Sequence, residues 1–162
     1  MARRYDLAGF ARAVGKWPYN LEIAGLKALR SAAARGVEVV VKNIDTPHGE
    51  HPAPVDSGAM RSSVRAYDIS DGAVVAVEAP HAVYMERGTK PHRPPLGPIW
   101  TWVVRKIPTS SDSEAMGIAL AIQQKIAEVG TEPRFFFRRS MREIRGKIVP
   151  QEMRAEFSRR LF

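Results

Sequence analysis

Apolar residues at Leu26, Leu29, Ala33, Val37, Val40 and Ile44 are spaced by three and four positions, which lines them along one face of a helix. They predict the longest helix of the chain over 20–44, with Asn20 as its N-cap. Ala32, Ala33, Ala34 and Gly36 make part of that helix thin, so another element can approach closely there. The β-branched run Val37, Val39, Val40 and Val41 also suits a strand, but the helical period continues through it. Upstream, Leu7, Phe10, Ala11 and Val14 predict a short amphipathic helix or arm within residues 1–18. It ends at Trp17-Pro18, because the residue before a proline avoids the α region.

The pattern then changes from a period near 3.6 to a period of two. Val64 and Ala66 alternate with Arg65, Tyr67 and Ile69, and Val75 and Val77 alternate with Val74, Ala76 and Glu78. Asp71-Gly72 between the two runs predicts a tight hairpin turn with positive φ. A short helix over 57–62, capped by Asp56, precedes the hairpin. Pro80 ends the second strand, and a second short helix, 82–87, follows with Gly88 at its C′ position. Residues 45–54 read as a loop, and the four prolines within 91–98 read as an extended linker or lid.

The C-terminal half returns to helical spacing. A helix over 99–106 carries Trp100 and Trp102 as core anchors. Another over 114–129, capped by Ser113 and stopped by Gly130, buries Met116, Ala119, Leu120, Gln123, Ile126 and Ala127. Gly130-Thr131-Glu132-Pro133 echoes Gly88-Thr89-Lys90-Pro91, which predicts two similar helix exits. Arg134 to Phe137 form either a third strand or the start of a helix. Phe137, Met141, Ile144 and Ile148 then make a stripe, and Met153, Phe157 and Leu161 make a second one after a kink or break at Pro150. The fold class expected is α+β: a small antiparallel sheet built on a central hairpin, packed against a long N-terminal helix, with further helices in the C-terminal half.

At 162 residues the chain fits one domain with a real core. It has no cysteine, which excludes disulfides, thiolate metal sites and a cysteine nucleophile. No apolar run approaches the roughly 20 residues that span a bilayer, so no membrane association is expected. The basic start Met1-Ala2-Arg3-Arg4 lacks a following apolar region, so synthesis in the cytoplasm without a secretory signal is expected. The net charge of +8 is uneven: residues 1–44 carry +5, residues 45–133 carry −3 and residues 134–162 carry +6. Basic ends suit a polyanion such as nucleic acid, and equally suit solvated helix faces.

Catalytic chemistry is hard to find. There is no phosphate-binding glycine loop, dinucleotide fingerprint, nucleophile elbow or paired-histidine zinc helix. His48, Glu50 and His51 match no ligand spacing. Asp68, Asp71, Glu78 and Glu86 surround the hairpin without the lysine that a two-metal nuclease wants. His81 and His92 stand apart from any base or acid partner. The expectation is a protein without enzymatic activity, metal or cofactor.

Four pieces of sequence resemble a known family. Pro54-Val55-Asp56-Ser57-Gly58 with Met60-Arg61 resembles the family's P-V-D-T-G-x-L-R segment. The run from Ala79 to Thr89, with Tyr84, Glu86, Gly88 and Thr89, is similar to A-P-Y-A-x-Y-V-E-x-G-T. Pro133, Phe135, Phe136 and Arg138 resemble the closing x-P-x-P-F-F-x-P-A. Residues 99–106 with Ala119, Ile122, Lys125, Ile126 and Ala127 are similar to an insertion carried by some members, W-V-x-R-K … A-x-x-I-A-x-K-I-A. On these pieces, spread over about 20–145, the chain resembles the neck or tail-completion (head–tail joining) proteins of long-tailed bacteriophages and prophages. His81 stands where the family has an aromatic, Ser57 where it has threonine, and Arg139-Ser140 where it has Pro-Ala.

The resemblance implies one neck domain over 1–162, with a helical insertion at 91–130 and a C-terminal extension at 146–162 outside the match. It implies a minor structural protein of the virion, made in the host bacterial cytoplasm. Copies would form a ring at the head–tail junction, sixfold by preference with twelvefold as the alternative, around the packaged DNA. Its neighbours would be portal, adaptor or head-closure proteins on one side and tail terminator or tail tube proteins on the other. Asp56, Gly58, Arg61, Tyr84, Glu86, Gly88, Thr89, Pro133, Phe135 and Phe136 would brace the structure and its interfaces. Arg138, Arg142, Arg145, Arg159 and Arg160 would face DNA or acidic partners. The competing readings are a basic nucleic-acid-binding or nuclease-like protein of a mobile element, and a tail-assembly factor absent from the finished particle.

Overall fold

The computed structural model describes residues 15, 17–47 and 57–161, without the side chains of Trp17, Pro18, Arg160 and Leu161. Asp56, the His48–His51 stretch and the apolar positions of the expected arm helix lie outside the described residues. In chain order the elements are α1 (Trp17–Asp45), α2 (Ala59–Ser62), β1 (Val64–Ile69), β2 (Gly72–Val77), α3 (Ala82–Arg87), α4 (Leu96–Lys106), α5 (Asp112–Val129), α6 (Phe136–Glu143), a π-helical turn (Ile144–Ile148) and α7 (Val149–Leu161). The fold is therefore α+β, with a long N-terminal helix, a two-stranded antiparallel sheet and further helices toward the C-terminus. The chain divides into two compact units, Met1–Pro80 with Phe136–Phe162, and His81–Phe135.

In the first unit α1 packs on both strands, α6, the π-helical turn and α7. Trp17-Pro18 starts α1, since a proline in the first turn forgoes only an N–H that has no helical partner; the end of the arm helix expected at this point lies outside the described residues. Asn20 consequently lies inside the first turn and is not the cap. Ala33, Val40 and Ile44 of the expected stripe are buried, but the main buried row on α1 differs from it in the N-terminal part. It is Ala24, Ala28, Ala32, Gly36, Val40 and Ile44, a ladder stepping by four, whereas Leu26, Leu29 and Val37 are only half-buried. Small residues fill its N-terminal part, and Val40 and Ile44 are sealed from solvent. Burial of each of these two contributes about 1.5–3 kcal/mol. Gly36 sits at the tightest crossing: a Cβ there would lie 3.0 Å from Ile144 Cδ1 and 3.2 Å from Val75 Cγ2.

A second ladder of fours, Phe136, Ser140, Ile144 and Ile148, is buried on α6 and the π-helical turn. Of the expected stripe, Ile144 and Ile148 are buried, while Phe136 and Ser140 take the buried places expected for Phe137 and Met141, which are half-buried. Ser140 is tolerated in this core because its hydroxyl donates to the Phe136 carbonyl at 2.7 Å. The kink expected at Pro150 takes the form of the π-helical turn. Val149 N–H reaches back five residues to the Ile144 carbonyl. Pro150 has no N–H to offer Gly146, and its ring crowds that residue's carbonyl in an ordinary α-helix, so the widened turn accommodates it. Arg35 on α1 holds α7 from the side through Glu152 and Gln151.

The hairpin pairs Val64 with Val77 and Ile69 with Gly72. The turn residues are thus Ser70-Asp71 and not Asp71-Gly72, and none of the three has positive φ. Gly72 closes the turn as its last residue, where glycine is favoured without a left-handed backbone. Arg30 on α1 grips this end, with Nε 3.4 Å from Asp68 Oδ2 and Nη2 donating to the Ile69 carbonyl. The outward face keeps Tyr67, Ile69 and Val74 exposed, and each strand leaves one edge unpaired among the described residues.

In the second unit α4 and α5 pack around Val103, Ala115 and Ala119, with Ile99, Trp100, Ile107, Ile118 and Ile122 against them. Trp100 is a core residue, while Trp102 is more than a third exposed. The buried face of α5 is Ala115, Ala119 and Gln123; Met116 and Leu120, expected inside, are exposed. Its N-cap is Ser111 and not Ser113: the Ser111 hydroxyl accepts from Glu114 N–H, and the Glu114 carboxylate accepts from Ser110 N–H.

Candidate functional site

The two Gly-Thr sequences, which read as independent helix exits, are joined to each other. Thr89 and Thr131 form an antiparallel bridge, with Thr89 N–H donating to the Thr131 carbonyl at 3.0 Å and Thr131 N–H donating to the Thr89 carbonyl at 3.2 Å. Their hydroxyls lie 3.0 Å apart, and the Thr131 N–H also approaches the Thr89 hydroxyl at 3.1 Å.

The glycines make this possible. Gly88 (φ 70°, ψ −176°) and Gly130 (φ 76°, ψ −158°) combine positive φ with an extended ψ, a region open to glycine almost alone. Each therefore turns the chain out of its helix into an extended strand, rather than into the compact helix cap expected at Gly88. A Cβ at Gly88 would strike the Thr131 carbonyl oxygen, and one at Gly130 would strike the Thr89 carbonyl oxygen.

Two further hydrogen bonds continue the clasp. Arg134 N–H donates to the Met85 carbonyl at 2.9 Å and Phe135 N–H to the Glu86 carbonyl at 3.2 Å. Phe135 has φ 50°, an uncommon conformation for a residue with a side chain. That turn leaves Phe135 partly exposed in the second unit, while its neighbour Phe136 is buried in the core of the first. The structure thus gathers Glu86, Gly88, Thr89, Pro133 and Phe135, which are distant in sequence, into one place. Tyr84, on the same short helix α3, remains 60% exposed.

Beside the clasp lies a groove of about 1000 Å³. It is lined by His81, Tyr84, Met85, Lys90, three of the prolines of 91–98, Ile126, Glu132 and Arg134, together with Gly88, Thr89 and Thr131 of the clasp. The proline segment is a fixed wall of this groove and not a lid. Gln123, itself buried, donates to the Pro94 carbonyl at 2.7 Å, and His92 N–H points to the Ile126 carbonyl at 3.4 Å. Among the described residues, Arg134 Nη1 is buried with no hydrogen-bond partner.

The remaining candidate residues lie in the first unit. Gly58 occupies the N-cap of α2 with φ 81°, and Arg61 on that helix pairs with Asp45 at 3.2 Å. Arg138, Arg142 and Arg145 come together around a separate groove of about 530 Å³ with Met141 and Gly146. Arg159 does not join them; it pairs with Glu156 on α7 at 2.7 Å. Arg160's side chain lies outside the described residues. On the exposed hairpin face, Tyr67 donates its phenol to the Glu78 carboxylate. That bond, joined by the repulsion a phenolate would feel from Glu78, raises the Tyr67 pKa above its ordinary value.

Among the described residues there is no group of three or more histidine or acidic side chains placed to hold a metal, and no helix long and apolar enough to cross a membrane. The sequence did not reveal Arg134 as a groove residue or Gln123 as the support of its proline wall, and it presented the Gly-Thr echo as two similar helix exits; the repeated Gly-Thr-x-Pro was the available signal. No family model, curated protein or solved structure matches the chain.

Proposed function

We propose that this chain is a structural protein of the bacteriophage neck, which assembles into a closed ring at the head–tail junction and surrounds the DNA path. The observation that carries this reading is the clasp. Glu86, Gly88 and Thr89 from one family-like segment meet Pro133 and Phe135 from another, through backbone bonds that only glycine at 88 and 130 permits. Motif residues spent on backbone geometry suit a building block better than a catalyst.

Two surface features support the assembly part of the reading. A ring needs heterologous interfaces that close on themselves. Among the described residues the hairpin offers two unpaired strand edges and an exposed face bearing Tyr67, Ile69 and Val74, which suit strand addition by a neighbouring copy. The groove of Arg138, Arg142 and Arg145 supplies cationic groups that can balance DNA phosphates without reading bases. The same groove favours the runner-up, a nucleic-acid-binding or nuclease-like protein.

Reconstruction of the neck from purified particles tests the proposal. A ring of this chain between portal-side and tail-side proteins is the expected result. A chain located elsewhere in the particle, absent from it, or present only as a monomer would overturn it. Purified protein that cleaves DNA with a divalent metal would favour the runner-up. Reversing Arg138, Arg142 and Arg145 to glutamate should reduce DNA retention in particles; if ring formation alone is lost, those arginines serve subunit contacts.

A further inference from the structure

We infer that the groove beside the Gly-Thr clasp is a docking site for a short apolar peptide segment that carries a carboxylate, supplied by a partner protein, with Arg134 as its anchor. The inference rests on the chemistry of the groove and stands whether or not the chain builds a neck ring.

The anchor is an unmet donor. Arg134 lines the groove, and its Nη1 is buried without an acceptor among the described residues. A buried cationic N–H left unpaired is costly; Nη1 is closed to water in the free protein, and a turn of the guanidinium toward the groove would bring it to an arriving acceptor and recover that cost. A carboxylate is the best acceptor for a guanidinium, because its two oxygens match the planar fork and the bond is charge-assisted. Lys90 in the lining adds a second cation, against Glu132 as the single carboxylate among the described lining residues. This charge balance favours an acidic occupant.

The walls select what surrounds the acid. Met85, Ile126 and the prolines present apolar surface, and a methionine adapts to side chains of varied shape. A nucleic-acid strand would set charged phosphates against that surface, whereas an apolar peptide buries it. The volume of about 1000 Å³ stands at the upper end of the range for small-molecule sites, which suits several residues better than a single metabolite. The site is also built in advance. Gln123 holds the proline wall, and the Thr89–Thr131 bridge holds the floor, so little receptor order has to be gained on binding.

The test uses the full-length protein and two immobilised hexapeptide libraries. One has glutamate fixed at a central position with the other five positions randomised; the other has glutamine there. Retention on the glutamate library should exceed that on the glutamine library about tenfold, as the loss of one charge-assisted hydrogen bond predicts. Arg134→Gln should abolish the preference while the Thr89 and Thr131 amides keep their protection from hydrogen exchange. Lys90→Glu, at an exposed position, should weaken the preference without touching the core, and it serves if Arg134→Gln fails to fold. Equal retention on both libraries, or retention on neither, would overturn the inference. So would a glutamate preference that survives both substitutions, or displacement of the bound peptides by a single-stranded oligonucleotide.

Discussion

In the first unit two ladders of side chains meet, Ala24 to Ile44 on α1 and Phe136 to Ile148 on α6 and the π-helical turn. In the second unit the sealed core is small, Val103, Ala115 and Ala119, and much of its order comes from main-chain bonds at the clasp and from Gln123. One unit depends on volumes that fit, the other on dihedral angles that few residues adopt. The two should therefore fail to different kinds of substitution, and each kind should leave the other unit's amides protected.

Phe136→Ala should be the most damaging change. It empties a fully buried ring from the first unit, at about 3–5 kcal/mol. Chemical denaturation should register the loss, with hydrogen exchange accelerated along α1 and unchanged at Val103 and Ala119. If the second unit opens equally, the contrast between the units fails.

Gly130→Ala comes next. Backbone conformation alone should cost about 1–3 kcal/mol, with the collision against the Thr89 carbonyl added. Protection at Thr89 and Thr131 should vanish while α1 keeps its own. Gly36 sharpens the point from the other side, because its obstacle is made of side-chain atoms. Gly36→Leu should destabilise by about 1–3 kcal/mol through overpacking. Gly36→Ala should be nearly neutral, since a helix-propensity gain of about 1 kcal/mol offsets a small shift of Ile144. A severe loss from the alanine variant would mean that the crossing cannot yield.

The smallest effect is expected at the hairpin surface. The neutral Tyr67 phenol donates to Glu78, so its pKa is raised in the folded chain. The stability this contributes is present below the unfolded pKa of about 10 and is lost as pH rises through the higher folded value. Glu78→Gln should bring the phenol's ultraviolet titration back toward the ordinary range; an unmoved midpoint would remove the assigned cause.

These contrasts also explain what could be read in advance. The hairpin and the long helix were legible because alternation and helical spacing are written in large apolar residues such as Val75, Val77 and Ile44. On α1 the burial of Ala33, Val40 and Ile44 was legible, but the N-terminal part of the row was misplaced because Ala24, Ala28 and Ala32 are small and weigh little beside Leu26 and Leu29, although small residues are what a close crossing requires. The turn was misplaced by one residue because glycine suits both the middle and the last position of a tight turn. The echo of Gly88-Thr89 in Gly130-Thr131 was visible as a repetition, but no local pattern indicates that two separated segments exchange hydrogen bonds. The groove was invisible for a similar reason: Met85 and Arg134, far apart in sequence, both line it and are joined through the Arg134 N–H and the Met85 carbonyl.

The bridge between Thr89 and Thr131 has one more consequence. Everything from Lys90 to Gly130 leaves and returns through a single gate of paired backbone. Such a closed excursion can grow, shrink or be exchanged over generations, because lengthening a loop whose ends are already joined changes its closure entropy only logarithmically. Swapping that stretch for a two-residue turn is thus the natural experiment for asking what the chain gained by carrying it.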